Sequence, residues 1–180
     1  MPMMLNRTKK MAGVAVLSGI TTILLMAGTM ISVNTLFLTA LSAFLTGFSI
    51  YRYGISSGIM QSIVCLLLDL FLKPDKWNFL LYFCFCLYII LAEIIFQKLN
   101  KIQEPKKKMR RQLIYNWILF NIIYIPAVIL FHAFFSAEMK FSGMTWIVIL
   151  LFAGQIGWLL FDKAYREFFR FLKERKLLKI

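Results

Sequence analysis

The sequence predicts an all-α, polytopic integral membrane protein with six transmembrane helices. Of its residues, 61% are hydrophobic and only 16% are charged, whereas a soluble domain carries roughly 25% charged residues. The apolar residues are also grouped into runs of about the length that crosses a bilayer, separated by short polar turns. One soluble core could not bury so many apolar side chains, so lipid is expected to cover the rest.

The apolar runs place the spans and one sharp turn. The run from Met11 to Tyr51 carries no charge, and it is too long for a signal peptide or for a single crossing. We therefore predict a tight turn near Asn34. The predicted spans, which together form a single membrane domain over residues 1–180, are 11–31, 36–50, 54–72, 77–96, 112–135 and 141–161.

A C-terminal amphipathic helix is predicted within the tail, residues 162–180. Apolar side chains recur there at helical spacing and charged side chains fill the other face. This pattern indicates either a helix that lies at the membrane surface or an extension of the sixth span. The apolar positions are Phe161, Ala164, Tyr165, Phe168, Phe171 and Leu172.

The net charge of +13 is distributed as in membrane-protein loops, which argues against nucleic-acid binding. With six spans, most of the lysines and arginines fall on the side that holds both termini. Only Lys73, Lys76 and Lys140 fall on the other side. The positive-inside rule then places both termini in the cytoplasm.

Small residues four positions apart occur on the first three spans and again at Ala153 and Gly157. Such spacing lets a second helix approach closely. It suits the internal packing of this bundle, and it equally suits a docking face for a partner membrane protein. The candidate docking residues on the first three spans are Ala15, Gly19, Ala43, Gly47, Gly54 and Gly58.

Polar and aromatic residues at membrane depth are candidates for contact with a small solute. Simpler interpretations remain open: Asp69 could pair with Lys73, and the aromatic residues could form an interfacial belt. Buried amides at Gln61, Asn116, Asn121 and Gln155 are predicted to cross-link helices. The candidate solute-binding residues are Asn34, Asp69, Trp77, Tyr82, Asn121, His132 and Trp146.

The sequence carries no pattern that indicates an enzyme. It has no phosphate-binding loop, no zinc-protease motif and no nucleophile elbow. A single histidine, and cysteines that lie only within apolar runs, do not indicate a metal site. We therefore expect no catalytic residues, no metal and no cofactor.

Four stretches resemble a known family. They are Tyr51-Arg52-Tyr53-Gly54-Ile-x-x-Gly58, Lys73-Pro74-Asp75-Lys76, the segment from Tyr88 to Leu99 that includes Glu93, and the segment from Gly157 to Tyr165. These stretches, together with the six short predicted helices, make the chain similar to the substrate-binding S components of energy-coupling factor transporters. They also make it similar to a branch of small bacterial membrane proteins related to those S components.

The resemblance implies an S-component-like bundle in the bacterial cytoplasmic membrane. Such a subunit captures a vitamin-like solute or an ion from outside and docks to a transmembrane coupling protein and paired ATPase subunits. Ala15 and Gly19 match the small-residue motif by which that family contacts the coupling protein.

A second resemblance leaves a different function open. Asp69 stands in a Leu-Leu-Leu-Asp-Leu run near the end of a span. This is similar to the rod-shape-determining D protein of cell-wall morphogenesis, and it implies a membrane scaffold that does not transport.

Overall fold

The computed structural model describes residues 2–30, 34–72, 76–99, 105–135 and 144–174, and these residues form six α-helices and no strand. This confirms the all-α prediction for the described part of the chain. Each helix is long and apolar enough to cross a membrane. The helices are α1 (Pro2–Met30), α2 (Thr35–Tyr53), α3 (Ile55–Leu72), α4 (Lys76–Leu99), α5 (Pro105–Phe135) and α6 (Met144–Glu174).

The predicted turn near Asn34 coincides with the start of α2. Asn34 is the N-cap residue of that helix, and its backbone oxygen accepts a hydrogen bond from Leu38 N at 3.0 Å. Its side chain makes no capping hydrogen bond. The long uncharged run is therefore divided between two helices, as the length of a bilayer crossing requires.

Gly54 separates α2 from α3. Its backbone has φ +94° and ψ +165°, a region that essentially only glycine occupies. Gly54 N donates to Ile50 O at 2.8 Å, and Gly54 O accepts from Ser57 N at 3.0 Å. The chain thus turns at one residue, and α3 begins directly after it.

The sixth span and part of the predicted tail helix form one continuous helix, α6, which continues to Glu174. At 1.5 Å per residue its length is about 46 Å, more than the roughly 30 Å hydrocarbon core of a bilayer. α6 is therefore long enough for its apolar part to cross the hydrocarbon core while its more polar C-terminal part continues beyond it as the same helix. The surface-lying role of that end stays a prediction.

The chain divides into two compact units, one holding α1–α4 and the other holding α5 and α6. Within the first unit, α2 packs against α1, α3 and α4. Glycines allow this approach, because Gly58 of α3 faces the side chain of Ile50 and Gly28 of α1 faces Leu38. The single-domain organisation stays a prediction.

The second unit is an antiparallel pair of helices. The Tyr124 hydroxyl of α5 donates to Leu150 O of α6 at 2.7 Å. Gly154 leaves room for the Tyr124 ring. Phe120 stacks on Tyr124 and on Trp158, with ring centroids 4.8 and 5.7 Å away. Aromatic contacts therefore hold α5 against α6.

Candidate functional site

Serine and threonine hydroxyls line the interior of the α1–α4 unit. Each donates to the carbonyl oxygen four residues earlier in the chain, at 2.7 Å for Thr21 and 2.8 Å for Ser42. This local bond satisfies the hydroxyl proton inside an apolar helix. It leaves the oxygen lone pairs as acceptors for neighbouring helices. The hydroxyls that bond in this way are Ser18, Thr21, Thr22, Thr39, Ser42, Ser57 and Ser62.

Gln61 uses one of these acceptors to join α3 to α1. Its Nε2 donates to Thr21 Oγ1 at 3.0 Å, and the side chain is fully buried. Among the described residues, Gln61 Oε1 has no hydrogen-bond partner. An unpaired oxygen at this depth costs free energy unless a donor reaches it.

Asn78 makes the corresponding link from α4 to α2. The Thr39 hydroxyl lies 2.8 Å from the Asn78 side-chain amide and 2.7 Å from Thr35 O. One hydroxyl proton cannot serve both bonds. The structure places Asn78 Oδ1 toward the Thr39 hydroxyl, which donates either to Asn78 Oδ1 or to Thr35 O, and Asn78 Nδ2 has no hydrogen-bond partner among the described residues.

Tyr82 lies at the centre of the interior and is fully buried. Its hydroxyl is 3.4 Å from Thr46 Oγ1 and also lies beside the thiols of Cys65 and Cys86. Thr46 Oγ1 is in turn 3.7 Å from Cys86 Sγ. Hydroxyl and thiol groups of α2, α3 and α4 therefore meet at this tyrosine.

Asp69 is 4% exposed and lies in the last turn of α3. Asn78 lies in the first turn of α4, and Thr39 lies just inside α2. Because α3 and α4 are consecutive helices, the buried carboxylate and the Asn78 amide lie at the same end of the unit. Lys73, the predicted partner of Asp69, lies outside the described residues. We call the buried polar groups of α1–α4 the polar interior: Asp69, Gln61, Asn78, Tyr82, Thr46, Ser49 and the seven hydroxyls named above.

The candidate solute-binding residues are not all in one unit. Asp69 and Tyr82 are buried in the first unit, where Asn34 is exposed. Asn121 is in the second unit, where its Nδ2 donates to Trp117 O and its Oδ1 accepts from Gln155 Nε2, both at 2.8 Å. The side chains of Trp77, His132 and Trp146 lie outside the described part. The solute-binding role stays a prediction.

The predicted helix cross-links are confirmed for the buried amides. Gln61 bonds to α1, Asn116 Nδ2 donates to Asp162 Oδ1 of α6 at 3.1 Å, and Gln155 bonds to Asn121. Trp117 Nε1 also donates to Gln155 Oε1 at 3.0 Å. Polar side chains within these apolar helices therefore find partners on a neighbouring helix.

Some of the candidate docking residues are buried and the others are exposed. Ala43, Gly47 and Gly58 are buried inside the first unit, where they serve internal packing. Ala15, Gly19 and Gly54 are exposed. A Cβ added at Gly19 would meet no atom of the described chain within 4 Å. Only the exposed subset is available to a partner.

Sequence reasoning missed the hydroxyl part of the polar interior. The signal was nevertheless present as a helical period of small polar residues: Thr39, Ser42, Thr46 and Ser49 follow one face of α2. On α3, Ser57, Gln61, Cys65 and Asp69 recur every four residues. In an apolar helix, such a stripe marks the face that packs against other helices.

A groove of about 290 Å³ lies between α3 and α4. Apart from Ser62 and Cys86, its lining is entirely apolar and includes Ile63, Phe83 and Leu87. Such a lining suits hydrocarbon and offers little to a polar solute. The groove therefore does not extend the polar interior to the surface.

Comparison of the chain with protein-family models, with curated proteins and with solved structures finds no match.

Proposed function

We propose that the chain is an S-component-like membrane subunit. It binds a small solute, vitamin-like or an ion, from outside and docks to a transmembrane coupling protein and ATPase subunits for uptake. The observation that carries the proposal is the open space at Gly19.

Gly19 differs from the other described glycines of α1. Gly13 faces the Tyr53 side chain and Gly28 faces Leu38, so both are used in packing within the unit. Gly19 faces no described atom within 4 Å, and Ala15, one turn earlier, is also exposed. A smooth strip of this kind lets a partner's transmembrane helix approach the backbone closely.

The polar interior supports a particular class of solute. Gln61 Oε1 is a buried acceptor and Asn78 Nδ2 is a buried donor, and neither has a hydrogen-bond partner within the described part of the chain. Asp69 adds a carboxylate at the end that holds Asn78. An amide oxygen and a carboxylate suit a cation or a solute with N–H or O–H groups, and the amide N–H of Asn78 can donate to an acceptor on such a solute.

The same proposal places the chain in the bacterial cytoplasmic membrane with both termini in the cytoplasm. The six apolar helices of the described chain support this, because an even number of crossings returns the chain to its starting side. The excess of lysine and arginine on that side supports the orientation.

Replacing Gly19 by leucine is expected to prevent assembly with the partner. A leucine side chain would fill the open space and hold a partner helix away from α1. The measurement is blue-native electrophoresis of the tagged protein solubilised in mild detergent from its own membrane. The wild type should migrate as a large complex, and Gly19→Leu should migrate as the free subunit.

Gly157→Leu is the matched control, since a Cβ there also meets no described atom within 4 Å. It should leave the complex intact. If Gly19→Leu assembles as the wild type does, or if both variants lose the complex together with their folded structure, docking through Gly19 is refuted.

A scaffold that does not transport is the second candidate, and the burial of Asp69 and Tyr82 favours it. Both side chains are almost completely enclosed, and Tyr82 is held by groups of its own unit. A scaffold needs such cross-links to stay rigid and needs no path for a solute.

A further inference from the structure

Basic side chains gather at one end of the α5–α6 unit. Arg110 and Arg111 are exposed near the start of α5, and Lys163 is exposed on α6. The Asn116–Asp162 hydrogen bond fixes the register of the two antiparallel helices. At 1.5 Å per residue, Arg111 lies about 7.5 Å before Asn116, and Arg166 lies about 6 Å beyond Asp162. These cations therefore lie at a similar level.

Arg166 is held in position by a buried carboxylate. Its Nη2 is 2.6 Å from Asp162 Oδ2, and the Asp162 side chain is only 4% exposed. Asp162 Oδ1 accepts from Asn116, so the carboxylate is itself fixed across the two helices. The Arg166 side chain is 35% exposed. An arginine offers five N–H donors in a rigid plane, so further donors remain for an outside ligand.

Arg170, one turn further along α6, is in a different situation. Its guanidinium lies 3.8 Å from Glu167 and 3.2 Å from Glu174, and these carboxylates offset its charge. Within the described part of the chain, Arg110, Arg111 and Lys163 make no ion pair. Positive charge is therefore left unbalanced beside Arg166 and is neutralised at Arg170.

The surroundings of these cations are apolar. Leu113 and Ile114 are exposed on the next turn of α5, and Phe171 is exposed on α6. Arg111 and Arg166 also lie near the polar ends of the candidate spans Met109–Leu130 and Val148–Leu172. A ligand that fits must bring an anionic group directly beside hydrocarbon.

We propose that this basic end of α5–α6 binds the phosphate of an anionic phospholipid. Arg166, oriented by Asp162 and Asn116, donates to the phosphate oxygens, and Arg110, Arg111 and Lys163 supply the surrounding positive charge. Planar guanidinium groups match phosphate in this way. The acyl chains then lie along the exposed apolar side chains of the adjoining turns.

The test is lipid binding to the purified full-length protein. Phosphatidylglycerol and phosphatidylcholine are titrated separately into the detergent-solubilised protein, and native mass spectrometry measures the fraction that carries lipid. Phosphatidylglycerol should bind at least about thirtyfold more tightly than phosphatidylcholine, as expected for several basic groups near an anionic headgroup.

The variants separate a positioned site from general positive charge. Arg110→Gln with Arg111→Gln should weaken phosphatidylglycerol binding about thirtyfold. Arg166→Lys keeps the charge beside Asp162 but loses the planar fork, and it should weaken binding about threefold. Arg170→Gln is the matched control and should change binding less than twofold.

Three results would each overturn the proposal. They are equal affinity for the two lipids, a loss in Arg170→Gln as large as in the Arg110 and Arg111 double variant, and unchanged binding in Arg166→Lys. The conservative Arg166→Lys substitution retains the ion pair with Asp162, so a folding failure in a harsher variant does not weaken the test.

Discussion

Gly58→Val is expected to destabilise the α1–α4 unit by about 1–3 kcal/mol, the cost of inserting extra methyl groups into a packed interior. Gly58 of α3 faces the side chain of Ile50 on α2, and an added Cβ would overlap Ile50 Cγ1 and Cδ1. Ile50 is 2% exposed and has little room to move. The thermal unfolding of the detergent-solubilised protein, followed by circular dichroism, measures the loss.

Gly19→Val is the control for this prediction. It introduces the same side chain into a helix of the same unit, but no described atom lies within 4 Å of the new Cβ. A change within about 0.5 kcal/mol of the wild type is expected, as for surface substitutions. Equal destabilisation by the two variants would show that helix propensity, and not the contact with Ile50, sets the cost.

Arg166→Gln is expected to destabilise the α5–α6 unit by about 1–3 kcal/mol. It removes the cation beside Asp162, whose side chain is 4% exposed, and leaves a nearly buried carboxylate without its ion pair. The cost is below the roughly 3–5 kcal/mol of a fully buried pair, because Arg166 is partly exposed and water screens the pair. The same unfolding measurement applies.

Two further variants identify the cause of that loss. Adding Asp162→Asn to Arg166→Gln removes the unpaired charge, while asparagine can still accept from Asn116, so part of the stability should return. Arg170→Gln removes an arginine whose side chain is 69% exposed and should cost about 0.5 kcal/mol or less. A double variant no more stable than Arg166→Gln would contradict an uncompensated Asp162 charge as the cause.

The helices and their breaks could be predicted from sequence because they depend on local properties. Apolar runs of bilayer length define the spans, and the position of Asn34 marks where one run must divide. The two compact units were not predicted, since an apolar run does not show which other helices it packs against. Contacts between residues far apart in the sequence, such as that of Asn116 with Asp162, decide that division.

The sequence also could not predict which small residues face another helix and which face open space. Gly19 and Gly58 both stand in a small-x-x-x-small pattern, yet one faces open space and the other faces Ile50. Successive residues of a helix point about 100° apart, so the surroundings of each small residue depend on which side of its helix packs against the others. Within the polar interior, Asp69 and Gln61 were recognised as polar groups at membrane depth, and Tyr82 was recognised as an aromatic residue near the end of a span. The threonines and serines were missed because they are short and easily tolerated in apolar runs.

The most direct test of the account is to identify what the wild-type protein binds in its own membrane. The tagged protein is purified in mild detergent, and quantitative mass spectrometry measures the copurifying proteins relative to it. The account predicts recovery of a transmembrane coupling protein and ATPase subunits in fixed ratio to the chain. Recovery of cell-wall proteins instead, or of no partner, would contradict an S-component-like function and favour a membrane scaffold.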